Sequence, residues 1–360
     1  MVKAKSIYNK KTLPVALVFG GEGAEREISR LSAASVAGAL DKLGRDYISV
    51  FIDADGFWYI IPKGRAAVED VKECEKIPTY PVKLSGQGGG FLSDGKIIPV
   101  SKVIPVLHGD MGEDGVVQGA LRCAGLSFVG ADTASGSLLM DKAYTKLLAE
   151  YMGIPTVPWF LYIDGADKSE FGRVAVTVKQ ALIFARGLGY PLFVKPACSG
   201  SSIGACPANN PSELTRAIRY ALKSGRKVLV EKLIENPKEL ECAYFNGENP
   251  IFTSPGSVES EGEFYSFNRK YSGLGQVKLS ANAEVNREIS DRVIGYSRAL
   301  CLISGVRDLA RIDYFLSGDR LYFNEINSFP GMTADSLYPK MLAGAGIALE
   351  DALDRLLSVE

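Results

Sequence analysis

The sequence predicts an α/β fold built in more than one packed unit, and three observations lead there. Strand-like and helix-like hydrophobic patterns alternate along the chain. At 360 residues the chain is too long for one small core, so two or three lobes are expected. Gly44, Gly153 and Pro155 stand where helical patterns stop, as helix ends require.

Taken in order, Val15 to Phe19 predicts a buried strand running into the glycine-rich turn Gly20 to Glu25. A helix follows, with Ile28, Leu31, Val36, Ala39 and Leu43 expected on one apolar face. Further strands are expected at Tyr47 to Ile52, Trp58 to Ile61 and Val103 to Leu107, with a flexible turn at Gly86, Gly88, Gly89 and Gly90. A second region opens with a helix over Asp141 to Met152. It continues with a strand over Pro191 to Lys195, a helix over Pro211 to Ser224 and a strand over Lys227 to Glu231. The third region carries a strand over Glu239 to Phe245, a helix over Ser290 to Gly305, and strands over Leu309 to Leu316 and Arg320 to Asn327. Val258 to Ala283 has little regular pattern, and a stretch that long in a compact unit suits a functional lid. The expected lobes are 1–141, 142–239 and 240–360.

Composition excludes several functions. Forty-one basic and 42 acidic residues give a net charge of −1, so no global field draws the chain to nucleic acid or an anionic membrane. The six cysteines are scattered without a CxxC pair, which argues against a zinc site or a disulfide framework. The apolar run Val15 to Phe19 is too short for a signal peptide or a membrane span. A cytosolic protein with a frayed tail over Met1 to Thr12 is the expectation.

The strongest chemical signal is Ala310-Arg-Ile-Asp313 followed by Asn324-Glu-Ile-Asn327. Strand side chains alternate faces, so Arg311 and Asp313 point one way, and Glu325 and Asn327 share a face of their own strand. A three-residue loop, Ser317-Gly-Asp319, pairs Leu316 with Arg320 and puts Arg311 opposite Glu325. Asp313, Glu325, Asn327 and Arg311 then converge, whereas a two-residue loop would split them across both faces. Asp313, Glu325 and Asn327 offer only oxygen ligands, as Mg²⁺ prefers when it also holds phosphates. The apolar residues Ile312, Tyr314, Phe323 and Ile326 between them imply that both faces are covered, and buried charges need partners.

A second signal is the strand-end lysine and small-residue loop Lys195 to Gly204, of the kind that cradles phosphate. Two alternatives fail. Gly200-Ser-Ser-Ile-Gly204 matches a hydrolase nucleophile elbow, but the single histidine, His108, precedes Ser202, which is the wrong order for that triad. Gly21 to Arg26 begins like a dinucleotide fingerprint, but Arg26 occupies the third glycine position.

The chain resembles the D-alanine–D-alanine ligases, a family that includes the vancomycin-resistance D-Ala–D-X ligases. The resemblance spans about Val15 to Leu349. It rests on Gly20 to Ser29, Leu107 to Gly115, Met140-Asp-Lys142, Phe264 to Tyr271, Ala310 to Asp313 and Asn324 to Ser336. It implies a three-lobed ATP-grasp fold, in which an N-terminal parallel-sheet α/β lobe is followed by two α+β lobes clasping ATP. It implies that two D-alanines are joined through an acyl phosphate, for peptidoglycan precursors. ATP and two Mg²⁺ ions, or Mn²⁺ in their place, are the implied cofactors, and a cytoplasmic homodimer without nucleic-acid or membrane partners is the implied state.

Site roles follow from the same resemblance. Lys142 and Lys195 are expected at the ATP phosphates with Ser201 and Ser202 in the loop above them, Lys270 as a cofactor contact on an ω-loop lid that also carries Tyr271, Glu231 and Leu233 at the adenine, and Glu239 at the ribose. Asp313, Glu325 and Asn327 are the implied metal ligands. Glu25 would hold the ammonium of the first D-amino acid, with His108 beside it, and would join Ser201 and Tyr271 in a hydrogen-bonded set. Arg311 and the Gly331 backbone would face the developing oxyanion, and Ser336 and Leu337 the second substrate. Alternatives are D-serine as acceptor, another ATP-grasp carboxylate–amine ligation, and a non-catalytic nucleotide-binding regulator.

Overall fold

The computed structural model describes residues 13–358 apart from 24, 70, 78, 87–88, 166–171, 248 and 261–276. Three sheets organise the described residues, and each follows from a run of the apolar segments read above.

The first sheet contains β1 (Val15–Gly20), β2 (Tyr47–Ile52), β3 (Trp58–Ile61), β4 (Tyr80–Leu84), β5 (Gly90–Ser93), β6 (Lys96–Pro99) and β7 (Val103–Val106), in the order β6-β5-β4-β3-β2-β1-β7. Only β2, β1 and β7 are mutually parallel, and the sheet extends beyond β2 as antiparallel hairpins. Helix α1 (Arg26–Lys42) packs on β1, and α2 (Val71–Lys76), α3 (Val116–Cys123) and α4 (Thr133–Met140) complete this part. The expected apolar face of α1 needs correction. Val36 and Ala39 are buried as expected and Leu43 packs against the same core, together with Ser29, Ala33, Ala37 and Leu40, but Ile28 and Leu31 border the central cavity instead. Small residues let the helix lie close to the sheet, which turns the larger pair away from the core.

The second sheet contains β8 (Trp159–Ile163), β9 (Val174–Ala175), β10 (Leu192–Pro196), β11 (Cys206–Ala208) and β12 (Lys227–Lys232), in the order β11-β10-β12-β8-β9. Helices α6 (Val178–Leu188) and α7 (Pro211–Ala221) bury one face through Ala181, Ala185, Leu214 and Ile218. Sequence sets their starts: Thr177 and Gln180 form a capping box, and Asn210 caps α7 with Pro211 in its first turn. Helix α5 (Lys142–Tyr151), capped by Asp141, meets the other face through Ala143 against Trp159, Leu161 and Leu229.

The third sheet contains β13 (Lys238–Phe245), β14 (Ile251–Phe252), β15 (Gly256–Ser260), β16 (Val277–Ser280), β17 (Leu309–Ser317) and β18 (Arg320–Asn327), with β13 between β15 and β17. The segment expected to be irregular, Val258 to Ala283, therefore begins in β15 and contains β16, and the two strands pair. Helix α8 (Arg287–Ser304) covers one face, its Ile289, Val293 and Leu300 meeting Leu240, Ile312 and Tyr314. Helices α9 (Leu337–Gly344) and α10 (Leu349–Ser358) join a core shared with the first sheet, where Tyr338 and Leu353 share a cluster with Leu17 and Phe19. Lys42 and Arg45 reach Glu350 and Asp354, each at 2.6 Å, across that junction. No helix among the described residues is long and apolar enough to cross a membrane.

Candidate active site

The β17–β18 hairpin carries the charges, in a register that differs from the expected one. Ser317 pairs with Arg320, so the turn has two residues, which by itself would have split the charged set. A bulge between Asp313 and Tyr314 corrects this. Tyr314 pairs with Phe323 but Asp313 pairs with Glu325, which leaves Asn324 as the extra residue. Arg311 consequently stands opposite Asn327, not opposite Glu325 as expected, and all four functional side chains share one face. Ile312, Tyr314, Phe323 and Ile326 are buried behind them.

Arg311 donates to both Asp313 oxygens, at 2.8 and 2.7 Å, and lies 3.1 Å from Glu241 on β13. Burial alone would lower its pKa, but the Asp313 and Glu241 charges raise it well above the ordinary value. The Asn327 amide donates to Asp313 at 3.0 Å. Lys142, at the start of α5, donates to the Ser199 carbonyl at 2.6 Å and pairs with Glu325 at 3.2 Å. Burial acts to lower Lys142, and the Glu325 charge outweighs it, so the ammonium form is favoured. Asp313, Glu325 and Asn327 form an oxygen-only donor set beside a lysine, which fits a hard divalent cation such as Mg²⁺.

Glu25 sits at the N-cap of α1, where the helix dipole favours a carboxylate. Ser201 Oγ donates to Glu25 Oε1. Space for this contact comes from two glycines. A Cβ on Gly109, whose φ is +68°, would collide with Glu25 Oε2, and one on Gly200 would lie 2.9 Å from it. Ser201 and Ser202 hold left-handed backbone angles, φ 49° and 59°, which non-glycine residues adopt at a cost. His108 lies 3.2 Å from Ser32 Oγ, which also accepts from the Met332 backbone N–H at 3.2 Å. Burial, with the charge of Arg311, lowers the imidazole to about 4, so it is neutral at physiological pH.

Most of these groups border one cavity of about 450 Å³. Glu25, His108, Ser201, Lys142, Arg311, Glu325 and Asn327 all line it. Gly331, Ser336 and Leu337 line it as well, and Ser336 is the N-cap of α9. Of the residues expected at the nucleotide, Lys142 and Ser201 border this cavity, whereas Lys195, Ser202, Glu231, Leu233 and Glu239 do not. Lys195 and Glu231 are buried against one another at 2.8 Å, and Lys195 also donates to the bulge residue Asn324 at 3.1 Å. Ser202 adjoins Ser201 in the loop after β10, Leu233 donates its N–H to the Pro191 carbonyl at 3.1 Å, and Glu239 lies on β13 opposite Phe315. Lys270 and Tyr271 lie outside the described residues.

Sequence reasoning missed three charged residues here. Glu113 accepts from the backbone N–H groups of Gly109 at 2.8 Å and Phe329 at 3.3 Å, and burial with the Glu25 charge raises it to about 7. Its only sequence signal was its place inside the Leu107 to Gly115 motif. Glu241 could have been found from period two, since it follows Glu239 on the same face of β13. Lys146 follows Lys142 by one helical turn and is fully buried, which nothing in its sequence setting announces.

Comparison with known proteins gives a consistent result. The family model described as D-ala D-ala ligase N-terminus matches residues 14–131, and D-ala D-ala ligase C-terminus matches residues 148–358. The D-alanine–D-alanine ligase of Chloroherpeton thalassium is 34% identical, over 98% of this chain and 96% of its own length. Among solved structures, D-alanyl-alanine synthetase A from Vibrio cholerae has a TM-score of 0.82 at 27% identity, covering 96% of this chain and 97% of its own. The VanG D-Ala:D-Ser ligase from Enterococcus faecalis has a TM-score of 0.83 at 31% identity, covering 96% and 98%.

Proposed function

The chain belongs to the D-alanine–D-alanine ligase family, and we propose that its central cavity joins two D-alanines at the expense of ATP, supplying dipeptide for peptidoglycan precursors. One observation carries this reading. A carboxylate–hydroxyl pair, Glu25 and Ser201, borders the same cavity as Lys142, Arg311 and Glu325, and Arg311 holds Asp313 next to it.

The first D-alanine binds with its ammonium at Glu25 and its carboxylate toward Arg311. A carboxylate oxygen attacks the γ-phosphorus of ATP, the bond to the β-phosphate oxygen breaks, and ADP leaves an acyl phosphate. Lys142 and Lys195 neutralise charge on the transferred group. A divalent cation held by Asp313, Glu325 and Asn327 supplies further charge neutralisation there, with two Mg²⁺ ions as the proposed complement. The second D-alanine lies with its carboxylate at Ser336 and Leu337. Its amine attacks the acyl carbonyl, the oxyanion is met by Arg311 and the Gly331 backbone, and phosphate departs as the nitrogen loses a proton. His108, neutral in its buried setting, lines the first substrate without adding charge.

Lys270 and Tyr271 belong to the proposed lid, and Ser202, Leu233 and Glu239 to the nucleotide side. The proposed assembly is a cytoplasmic homodimer, tested by light scattering. The decisive assay measures phosphate release with and without D-alanine and identifies the product. Phosphate release that ignores D-alanine and yields no dipeptide would overturn the proposal.

A further inference from the structure

We propose that Lys146 is a positioning residue for the nucleotide base. It holds Glu231 in place so that the carboxylate can exchange Lys195 for an amino group of the base. The inference rests on the nucleotide reading above and goes beyond it in assigning a role to Lys146.

Lys146 has no exposed surface, and its ammonium lies 2.5 Å from Glu231 Oε1. The other oxygen, Oε2, is taken by Lys195 at 2.8 Å. Register explains the meeting. Phe193 pairs with Glu231 and Lys195 with Leu229, so Lys195 and Glu231 are diagonal neighbours on one face, and that face is the one α5 covers. Two lysines thus share one buried carboxylate.

Lys195 alone would neutralise Glu231. A second buried ammonium is costly unless something requires it. Lys146 becomes necessary when Lys195 leaves. If Lys195 turns from Glu231 and Asn324 toward a phosphate, Lys146 keeps Glu231 charged, paired and fixed in orientation. Oε2 is then an acceptor that has lost its donor. A 6-amino purine replaces that donor, whereas a 6-oxo purine sets an oxygen against a carboxylate. Release of the phosphate-binding lysine is in this way linked to recognition of the base amine. The geometry fits such an exchange, because Lys195 pairs with Glu231, donates to Asn324 and does not border the cavity.

The test uses the full chain with ATP and inosine triphosphate, whose 6-oxo group replaces the amine. Lys146→Met should raise the KM for ATP about tenfold and compress the ATP-over-inosine-triphosphate preference by a similar factor, since a site built for a donor discriminates only while its acceptor is held. The kcat should stay within about threefold, because Lys146 does not meet the reacting atoms. Calorimetric binding of a non-hydrolysable ATP analogue should weaken in parallel. Lys146→Gln, which keeps a polar donor beside Glu231, is the milder variant and should move both readouts the same way by less. A purely structural lysine would lower the active fraction and leave KM and base preference alone, and that result overturns the proposal. Glu231→Gln separates the two levels of inference. If Glu231→Gln weakens ATP binding and Lys146→Met does not, the role of Lys146 fails. If neither variant alters ATP binding, it is the placement of the base at Glu231 that fails.

Discussion

Asp313 and Glu325 face each other across the β17–β18 hairpin because Asn324 is an extra residue in β18. Each acid already has a cation, Arg311 for Asp313 and Lys142 for Glu325, so neutralising either one unbalances a half-buried set. Asp313→Asn or Glu325→Gln should lower ligation by about 10²-fold or more, as losing a preorganised electrostatic partner of the transferred phosphoryl does. Circular dichroism should be unchanged, since Ile312, Tyr314, Phe323 and Ile326 still fill the core behind. Turnover near the parent value at saturating Mg²⁺ would remove both residues from the metal site.

His108 offers an unobscured pH measurement, because it is the single histidine of the chain. Its folded value of about 4 lies below the ordinary 6.5. Protons therefore bind the unfolded chain more readily, and this residue withdraws stability as pH falls from about 6.5 to about 4. In untagged protein the ring resonances should titrate with a midpoint near 4. A midpoint near 6.5 would show the imidazole to be solvated and free of Arg311.

Glu113 has the opposite sign. Burial and the Glu25 charge raise its carboxyl from 4.5 to about 7, so the folded chain keeps a proton that the unfolded chain has lost. Its contribution to stability is complete below about 4.5 and disappears as pH rises through about 7. Glu113→Gln is uncharged throughout, so its stability relative to the parent should improve by about 3 kcal/mol across that window. Denaturation midpoints at both ends of the window check this. A constant difference between the two proteins would mean that Glu113 is ionised in the fold.

Much of this site was legible in the sequence because its parts sit on regular elements. The bounds of β18 and the identities of Asp313, Glu325 and Asn327 follow from alternation and residue type alone. Their convergence, however, was expected for the wrong reason. A three-residue loop and a two-residue turn with a bulge bring the same residues to one face, and alternation cannot distinguish them. Ile28 and Leu31 were assigned to the core because they are large and apolar, yet Ser29 and Ala33 take the close contacts with the sheet and leave the larger pair to the cavity. Lys146 was invisible because a helical lysine is ordinarily solvated, and only tertiary packing places Glu231 against it.

The acceptor should be D-alanine in preference to D-serine, and Leu337 is the position expected to decide it. Leu337 opens α9, is buried, and borders the cavity beside Ser336. Val258, Leu279, Ile28 and Leu31 border the same cavity, so it has an apolar component. A serine hydroxyl placed against Leu337 gives up hydration without gaining a partner from this side chain, at a cost of about 1–3 kcal/mol, or about five- to 150-fold in selectivity. The D-Ala:D-Ser ligase VanG has much the same fold at 31% identity, so selectivity must lie in side chains and not in architecture. Direct competition measures it: equal D-alanine and D-serine with Mg²⁺-ATP, the dipeptides separated and quantified. D-Ala-D-Ala should dominate. Leu337→Arg introduces a donor at this wall and should shift the product ratio toward D-serine. A parent ratio favouring D-Ala-D-Ser refutes the preference. A Leu337→Arg variant with the parent ratio would assign selectivity to another wall of the cavity, where the hydroxyl would have to find its donor.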